Sequence, residues 1–242
     1  MSWLGRDRHD LETCGSTNDE AARLARAGAS HGTIVIAQSQ HAGRGRDGHV
    51  WVSPPGAGLY LSAILRPPLP LADVPPVTLA IGIAICDAVR AHGVRAQLKW
   101  PNDVLVGTAK LAGVLVEAQS HGTRLEAVIA GIGVNLIGTL PPSLHAISLE
   151  AARGAPVDRE AFLATLLAAL EQWIDRYVGI GLPLLVGAWR ERMAPDLAAR
   201  ATIGGAQVTG TCTGLAPDGA LLLRDASGAV HAVRSGDVEV AR

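Results

Sequence analysis

The apolar positions of this chain come in blocks whose spacing changes from helical to strand-like and back. Ser16-Thr17-Asn18-Asp19-Glu20 opens an alanine-rich run to Ala27 closed by Gly28, which predicts a capped helix. Thr33 to Ser39 is an apolar stretch of strand length, and Gly56-Ala57-Gly58 turns the chain into a second one, Leu59 to Leu65. Between them lies a glycine- and arginine-rich loop, Gly43 to Gly48, followed by Trp51. Pro75 and Pro76 start a helix over Val77 to His92, ended by Gly93, and Ala96 to Trp100 is a strand leading into Pro101-Asn102-Asp103. Leu111 to Gln119 and Leu125 to Asn135 read as strands joined by a turn at Ser120-His121-Gly122-Thr123. A helix from Asp158, its N-cap, to Tyr177 and a shorter one from Pro183 to Met193 follow. Past Pro195, short alternating runs broken by Gly204-Gly205, Pro217-Asp218-Gly219 and Ser227-Gly228 predict a compact all-β unit. The expected organisation is a larger domain over residues 1–195 and a small β domain over 196–242.

With 242 residues, 48% of them apolar and 18% charged, the chain can bury a substantial core, which excludes a disordered protein. A net charge of −1 gives no footprint for non-specific nucleic-acid binding, so an enzyme acting on small ligands fits better. Cys14, Cys86 and Cys212 are far apart and lack Cys-x-x-Cys or metal-ligand spacing; they read as reduced packing residues. The apolar run Val74 to Cys86, between Asp73 and Asp87, falls short of the roughly 20 residues of a membrane span and predicts a buried helix. No export signal is visible at the N-terminus, so the expected compartment is the cytoplasm, with no membrane partner.

The loop Gly43-Arg44-Gly45-Arg46-Asp47-Gly48 has the Gly-x-Gly-x-x-Gly spacing of a dinucleotide-binding turn. That turn needs a helix beginning at the loop, whereas His49-Val50-Trp51-Val52-Ser53-Pro54-Pro55 is β-rich and then broken by prolines. What remains is a glycine backbone that lets a ligand approach closely, with two guanidinium forks, Arg44 and Arg46, suited to carboxylate or phosphate oxygens. Taken alone, a solvated surface loop is the plain alternative. After Lys99-Trp100-Pro101-Asn102-Asp103, Lys110 leads into the buried strand that starts at Leu111, with Glu117 at its far side, although a lone loop lysine is common. Gly131-x-Gly133-x-Asn135 sits at a strand end, where an amide can both donate to and accept from an adenine edge.

In order along the chain stand Ser16-Thr17-Asn18, Gln40-x-x-Gly43-Arg44-Gly45-Arg46-x-Gly48-x-x-Trp51, Lys99-Trp100-Pro101-Asn102-Asp103, Lys110-Leu111-Ala112-Gly113-x-Leu115-x-Glu117 and Gly131-x-Gly133-x-Asn135. With these motifs the chain resembles the biotin–protein ligases over residues 12 to 240. The resemblance implies an α+β fold. Its catalytic domain would be similar to class II aminoacyl-tRNA synthetases, a mixed sheet with helices on one side, followed by a small Src-homology-3-like β-barrel. It implies that biotin reacts with ATP and Mg2+ to give biotinyl-5′-AMP and pyrophosphate. Biotin then passes to a lysine in the biotin carboxyl carrier domain of a carboxylase.

By the same resemblance, Ser16, Thr17, Asn18 and Gln40 contact the biotin ureido head, and Arg44, Gly45, Arg46 and Lys110 line biotin and the reaction centre. Gly113 and Leu115 add backbone contacts. Arg44, Arg46, Lys99, Lys110 and Asp103 are the expected catalytic set, with Asp103 also the candidate Mg2+ ligand. Gly43, Arg46, His49, Trp51, Asn102 and Asn135 are expected at ATP. Ser16 and Thr17 have the plainer role of capping a helix. Asp47 and His49 depart from residues frequent in the family, and no tryptophan follows Asn135 to cover the adenine. Only a short segment precedes the first helix, so no DNA-binding domain and no nucleic-acid partner are expected. A lipoate or octanoate transferase of the same fold and a nicotinamide-dependent oxidoreductase are rival readings; Trp51 and Lys99-Trp100-Pro101-Asn102-Asp103 favour biotin.

Overall fold

The computed structural model describes residues 2–194, 197–203, 206–234, 236 and 238–240. Strands β1 (Arg8–Cys14), β2 (Ile34–Gln40), β3 (Gly58–Leu65), β4 (Gln97–Lys99), β5 (Asp103–Val106), β6 (Ala109–His121) and β7 (Arg124–Asn135) form one mixed sheet in the order β1-β2-β3-β7-β6-β5-β4. Helix α1 (Thr17–Arg26) is the crossover between β1 and β2, which run parallel. The other neighbours pair antiparallel.

Alternate residues of the central strands enter two different cores. Leu59, Leu61 and Leu65 of β3 and Val128, Ile132 and Val134 of β7 pack with α2 (Val77–Ala91) and α4 (Arg159–Ile180). On the opposite face Ile64, Ala127 and Ile129 pack with Val35 and with Ala21 and Ala25 of α1. Apolar burial on both faces is why these strands read as continuous runs in the sequence. Helices therefore cover both faces, and the expectation of helices on one side holds for α2 and α4 but not for α1. By length and composition alone, Leu71–Ala91 is apolar enough to cross a membrane, longer than the Val74–Cys86 run, yet 67% of its most apolar window is buried inside the protein. Burial on all sides accounts for its composition.

β1 and β5 were not expected. β1 alternates charged, exposed residues with half-buried ones at the sheet edge, where charge discourages pairing with another chain. Helix α4 runs past Tyr177 to Ile180 before Gly181, at φ 92°, ends it, and the Asp158 carboxylate caps its start by accepting from the Glu160 and Ala161 amides. A short α3 (Leu149–Arg153) precedes it, and α5 (Leu182–Arg190) ends earlier than Met193.

Strands β8 (Ala198–Ile203), β9 (Ala206–Leu215), β10 (Leu221–Arg224), β11 (Val230–Val233) and β12 (Glu239–Val240) form a separate antiparallel sheet in the order β11-β10-β9-β8-β12. The boundary expected between residues 195 and 196 and the turn at 204–205 lie outside the described residues. The two units touch near the Lys99–Asp103 segment, where the Trp100 indole donates to the Gly219 carbonyl at 3.2 Å.

Candidate active site

The α1 face of the sheet holds a cavity of about 440 Å³, a size that suits a small organic ligand. Its floor is made of glycines. In β6 and β7, Gly113 pairs with Gly133 and Leu115 with Gly131. A Cβ on Gly131 would lie 2.2 Å from Asn18 Oδ1, and one on Gly133 would lie 2.4 Å from Trp51 Cε2. The Gly-x-Gly-x-Asn motif closes β7 at Asn135, the strand end expected for it. It lies within a strand and clears space for Asn18 and Trp51.

Ser16, Thr17 and Asn18 are buried where α1 meets this floor. Ser16 has the extended backbone of an N-cap, φ −149° and ψ 137°, yet its side chain makes no capping bond. The first-turn amide of Thr17, which lacks a partner within its own helix, donates instead to Gln40 Oε1 at 2.8 Å. Gln40 in turn donates to Ser53 Oγ at 2.8 Å. Substituting Gln40 for the usual cap leaves the Ser16 hydroxyl bordering the cavity. Asn18 is engaged within the protein: its Nδ2 donates to Glu117 Oε2 at 2.7 Å and Leu115 O at 3.3 Å, and its Oδ1 accepts from Ser62 Oγ at 2.6 Å. With both amide protons used, Asn18 shapes the wall and has only acceptor capacity left for a ligand.

The arginine loop is a small hairpin. Arg44 bridges to Val50, the Trp51 amide donates to Gly43 O at 2.9 Å, and the Gly45 amide donates to His49 O at 2.7 Å. Its tip, Arg46–Gly48, is a single turn with Asp47 at φ 51°, a left-handed conformation that aspartate tolerates. Gly43 does not border the cavity; a Cβ there would lie 2.3 Å from Trp51 O, so it serves close approach of the two hairpin arms. The Arg44 guanidinium grips Glu117, Nη1 to Oε1 at 2.9 Å and Nη2 to Oε2 at 2.8 Å, and reaches Asp19 Oδ1 at 2.8 Å. The hydrogen bonds to Glu117 raise its pKa. Held by two carboxylates, Arg44 anchors the loop, and both it and Arg46, from the tip, border the cavity. His49 Nδ1 lies 2.9 Å from Arg46 O, and since a carbonyl only accepts, that nitrogen carries the proton. His49 thereby closes the loop.

At the other end of the cavity, Asp103 at the start of β5 stands between two ammonium groups. Lys99 Nζ is 3.0 Å from its Oδ2 and Lys110 Nζ 2.6 Å from its Oδ1. The Lys110 ammonium also lies 5.4 Å from the centre of the Trp51 ring. Two positive charges against one negative leave this end cationic, suited to an anion. Asn102 Nδ2 donates to Val114 O at 2.9 Å, tying β5 to β6, and Asn135 Nδ2 donates to Lys110 O at 3.3 Å, leaving its carbonyl for a ligand. Both Asp103 oxygens face lysines, and among the described residues no group of three His, Cys, Asp or Glu side chains gathers. This donor set does not fit a protein-held Mg2+, which prefers carboxylate and phosphate oxygens. The metal assignment of Asp103 gives way to that of a lysine holder.

Apart from Gly43, every expected site residue borders this one cavity, and Leu140, Leu144 and Ala146 close it where no tryptophan stands. Ser53, Ser62, Asp19 and Glu117 were missed as site residues. A serine inside the apolar run Leu59 to Leu65 was the available signal, because a buried hydroxyl needs a partner. Nothing in the sequence marked Asp19, whose contact with Arg44 forms only when loop and helix meet.

Residues 13–135 match the profile of the Biotin/lipoate A/B protein ligase family and residues 200–240 that of the Biotin protein ligase C terminal domain. The chain is 36% identical to the biotin–[acetyl-CoA-carboxylase] ligase of Paracoccus denitrificans, covering 88% of this chain and 92% of that one. It is 34% identical to the bifunctional ligase/repressor BirA of Bacillus subtilis, covering 96% of this chain and 73% of the relative. Among solved structures, the biotin protein ligase from Aquifex aeolicus in complex with biotin and ATP superposes with a TM-score of 0.83 at 26% identity, covering 98% of this chain and 99% of that one.

Proposed function

The chain belongs to the Biotin/lipoate A/B protein ligase family, and from that premise we propose how its cavity carries out biotin–protein ligation. The enzyme activates biotin with ATP to biotinyl-5′-AMP, releasing pyrophosphate, and transfers the biotin to a lysine of a carboxylase's biotin carrier domain. We read the large sheet with its helices as class II synthetase-like and the small sheet as a Src-homology-3-like barrel.

The ureido head is a compact group of donors and an acceptor. Ser16 Oγ and the Gln40 amide, with Thr17 behind them, meet it at the α1 end of the cavity, while Asn18 holds the wall. A buried site of matched polar partners discriminates strongly against acids lacking that group. Gly45, Gly113 and Leu115 border the rest of the biotin. The biotin carboxylate then faces Lys110, Lys99 and Arg46. When one of its oxygens bonds to the α-phosphorus, the bond to the β-phosphate oxygen breaks and pyrophosphate leaves with the electron pair. Negative charge on the phosphoryl oxygens is offset by these cations, which Asp103 and the loop hold in place beforehand. Trp51 flanks the adenylate, and the Asn135 carbonyl accepts from the adenine amino group. Mg2+ belongs to the nucleotide substrate and is left to its phosphates. In the second half-reaction a neutral lysine amine attacks the anhydride carbonyl, forming the amide and releasing AMP.

The observation that carries this reading is a single cavity with a neutral polar pocket at one end and the Lys99–Asp103–Lys110 cluster at the other. The experiment is ATP–pyrophosphate exchange by the purified protein with biotin, lipoate, octanoate or no acid, and Lys110→Ala as control. Exchange that requires biotin and disappears in the variant supports it; exchange with lipoate alone reassigns the substrate.

A further inference from the structure

We propose that Glu117 is a positioning residue that ties the arginine loop to the head-group end of the cavity and so governs how long the bound adenylate is retained. The inference rests on the ligase reading above. Glu117 lies on β6, touches neither end of the reacting bond, and has no part in the chemistry derived for the site. Its two oxygens accept three bonds: Oε1 from Arg44 Nη1 at 2.9 Å, and Oε2 from Arg44 Nη2 at 2.8 Å and Asn18 Nδ2 at 2.7 Å. Arg44 Nη2 also reaches Asp19 Oδ1 at 2.8 Å, closing a ring from helix α1 through β6 to the loop and back.

Two physical consequences follow from that ring. A carboxylate can only accept, so Glu117 forces Asn18 to turn its NH2 towards β6 and its carbonyl towards Ser62 and the cavity. The bidentate grip on Arg44 fixes both the position and the plane of the guanidinium, two residues before Arg46. The side chains of Arg44 and Glu117 are 41% and 36% exposed, so the link is screened by salt and weak enough to open for ligand entry. Glu117 thus acts as a latch between loop and head pocket.

The test is the Glu117→Gln variant, which keeps the shape but must point an NH2 at a donor, either Arg44 or Asn18. With biotin and ATP, the lifetime of the enzyme-bound adenylate after dilution should shorten about tenfold, the effect of losing one hydrogen bond to a charged group. The KM for biotin should rise by a similar factor while kcat for pyrophosphate exchange stays within about twofold, a split that general loss of folding would not give. Raising the salt should shorten the wild-type lifetime more than that of the variant. Arg44→Met, which breaks the same latch from its exposed side, should shorten the adenylate lifetime as well, and the lifetime in the double variant should be no shorter than in the shorter-lived single one. A wild-type lifetime in Glu117→Gln, or multiplying effects of the two substitutions, overturns the proposal. Absence of biotin-dependent exchange in the wild type overturns the ligase reading instead.

Discussion

The Lys110 ammonium lies 2.6 Å from Oδ1 of Asp103, whose other oxygen is 3.0 Å from Lys99 Nζ. One carboxylate thereby orients both cations of the proposed reaction centre. Lys110→Ala should lower biotin-dependent pyrophosphate exchange by a factor on the order of 10² to 10³, the usual cost of losing one preorganised donor. Asp103→Asn leaves the cations in place but unguided and should cost less, about tenfold. Its half-saturation for Mg2+ should stay that of the wild type; a large rise in the Mg2+ requirement would return Asp103 to the role of metal ligand.

Gly131→Ala and Gly133→Ala put a methyl group 2.2 Å from Asn18 Oδ1 and 2.4 Å from Trp51 Cε2. Neither position has a positive φ, so the penalty is collision in the site and not backbone strain. Gly131→Ala should raise the dissociation constant for biotin at least about tenfold and Gly133→Ala the KM for ATP, because moving each side chain spoils its own end of the cavity. Titration calorimetry with biotin separates the two; equal effects of both on biotin would show that the floor is not divided in this way.

Much of this arrangement was legible from the sequence because it rests on local rules. The apolar runs of β2, β3, β6 and β7 announce doubly buried strands, and Asp158 announces the start of α4. All but one of the expected site residues border the cavity, because fixed spacing on strands fixes which face each residue occupies. What the sequence hid depends on tertiary partners. Arg44 looked identical to Arg46 until Glu117 and Asp19 were seen to hold it. Asp103 passed for a metal ligand because a one-dimensional motif does not reveal two lysines converging on it. β1 escaped notice because an edge strand facing solvent lacks an apolar run.

Arg46→Gly removes the guanidinium that borders the cavity from the loop tip. The bound adenylate should escape faster, and labelling of bystander lysines on added protein should rise about tenfold, in keeping with the loss of one charge-assisted bond. Equal bystander labelling by wild type and variant would remove Arg46 from the retention of the intermediate.

His31 stacks on Trp3 with ring centroids 4.1 Å apart, and its Nδ1 accepts the Arg66 amide at 2.9 Å. Burial lowers its pKa from 6.5 against the pull of the Asp175 charge, with the Arg66 charge acting in the same direction as burial. Because the unfolded chain then binds the proton more readily, stability is lost as pH falls through the ordinary imidazole range towards the depressed folded value. Protonation also removes the lone pair that accepts from Arg66. The fall in Tm between about pH 7 and pH 5 should therefore be smaller in His31→Gln, whose amide oxygen still accepts. Parallel melting curves for the two proteins across that range would assign the pH dependence elsewhere.

Ser16 and Asp158 stand at the same position of two helices, and only Asp158 caps. Asp158→Ala should therefore destabilise the protein by about 1 kcal/mol, the usual worth of such a cap, and leave biotin affinity unchanged. Ser16→Ala should do the reverse. The helix loses nothing, since Gln40 already satisfies the Thr17 amide, while the ligand loses a hydroxyl that no protein group occupies among the described residues. Leaving a ureido group without its partner in a dry site should weaken biotin binding by about 1 to 3 kcal/mol, roughly tenfold to a hundredfold. Thermal melting and biotin titration of the two variants give four numbers, and the crossed pattern is the expected one. A Ser16→Ala protein that melts earlier but binds biotin normally would make Ser16 a cap after all, and would move the recognition of the head group to Thr17 and Gln40.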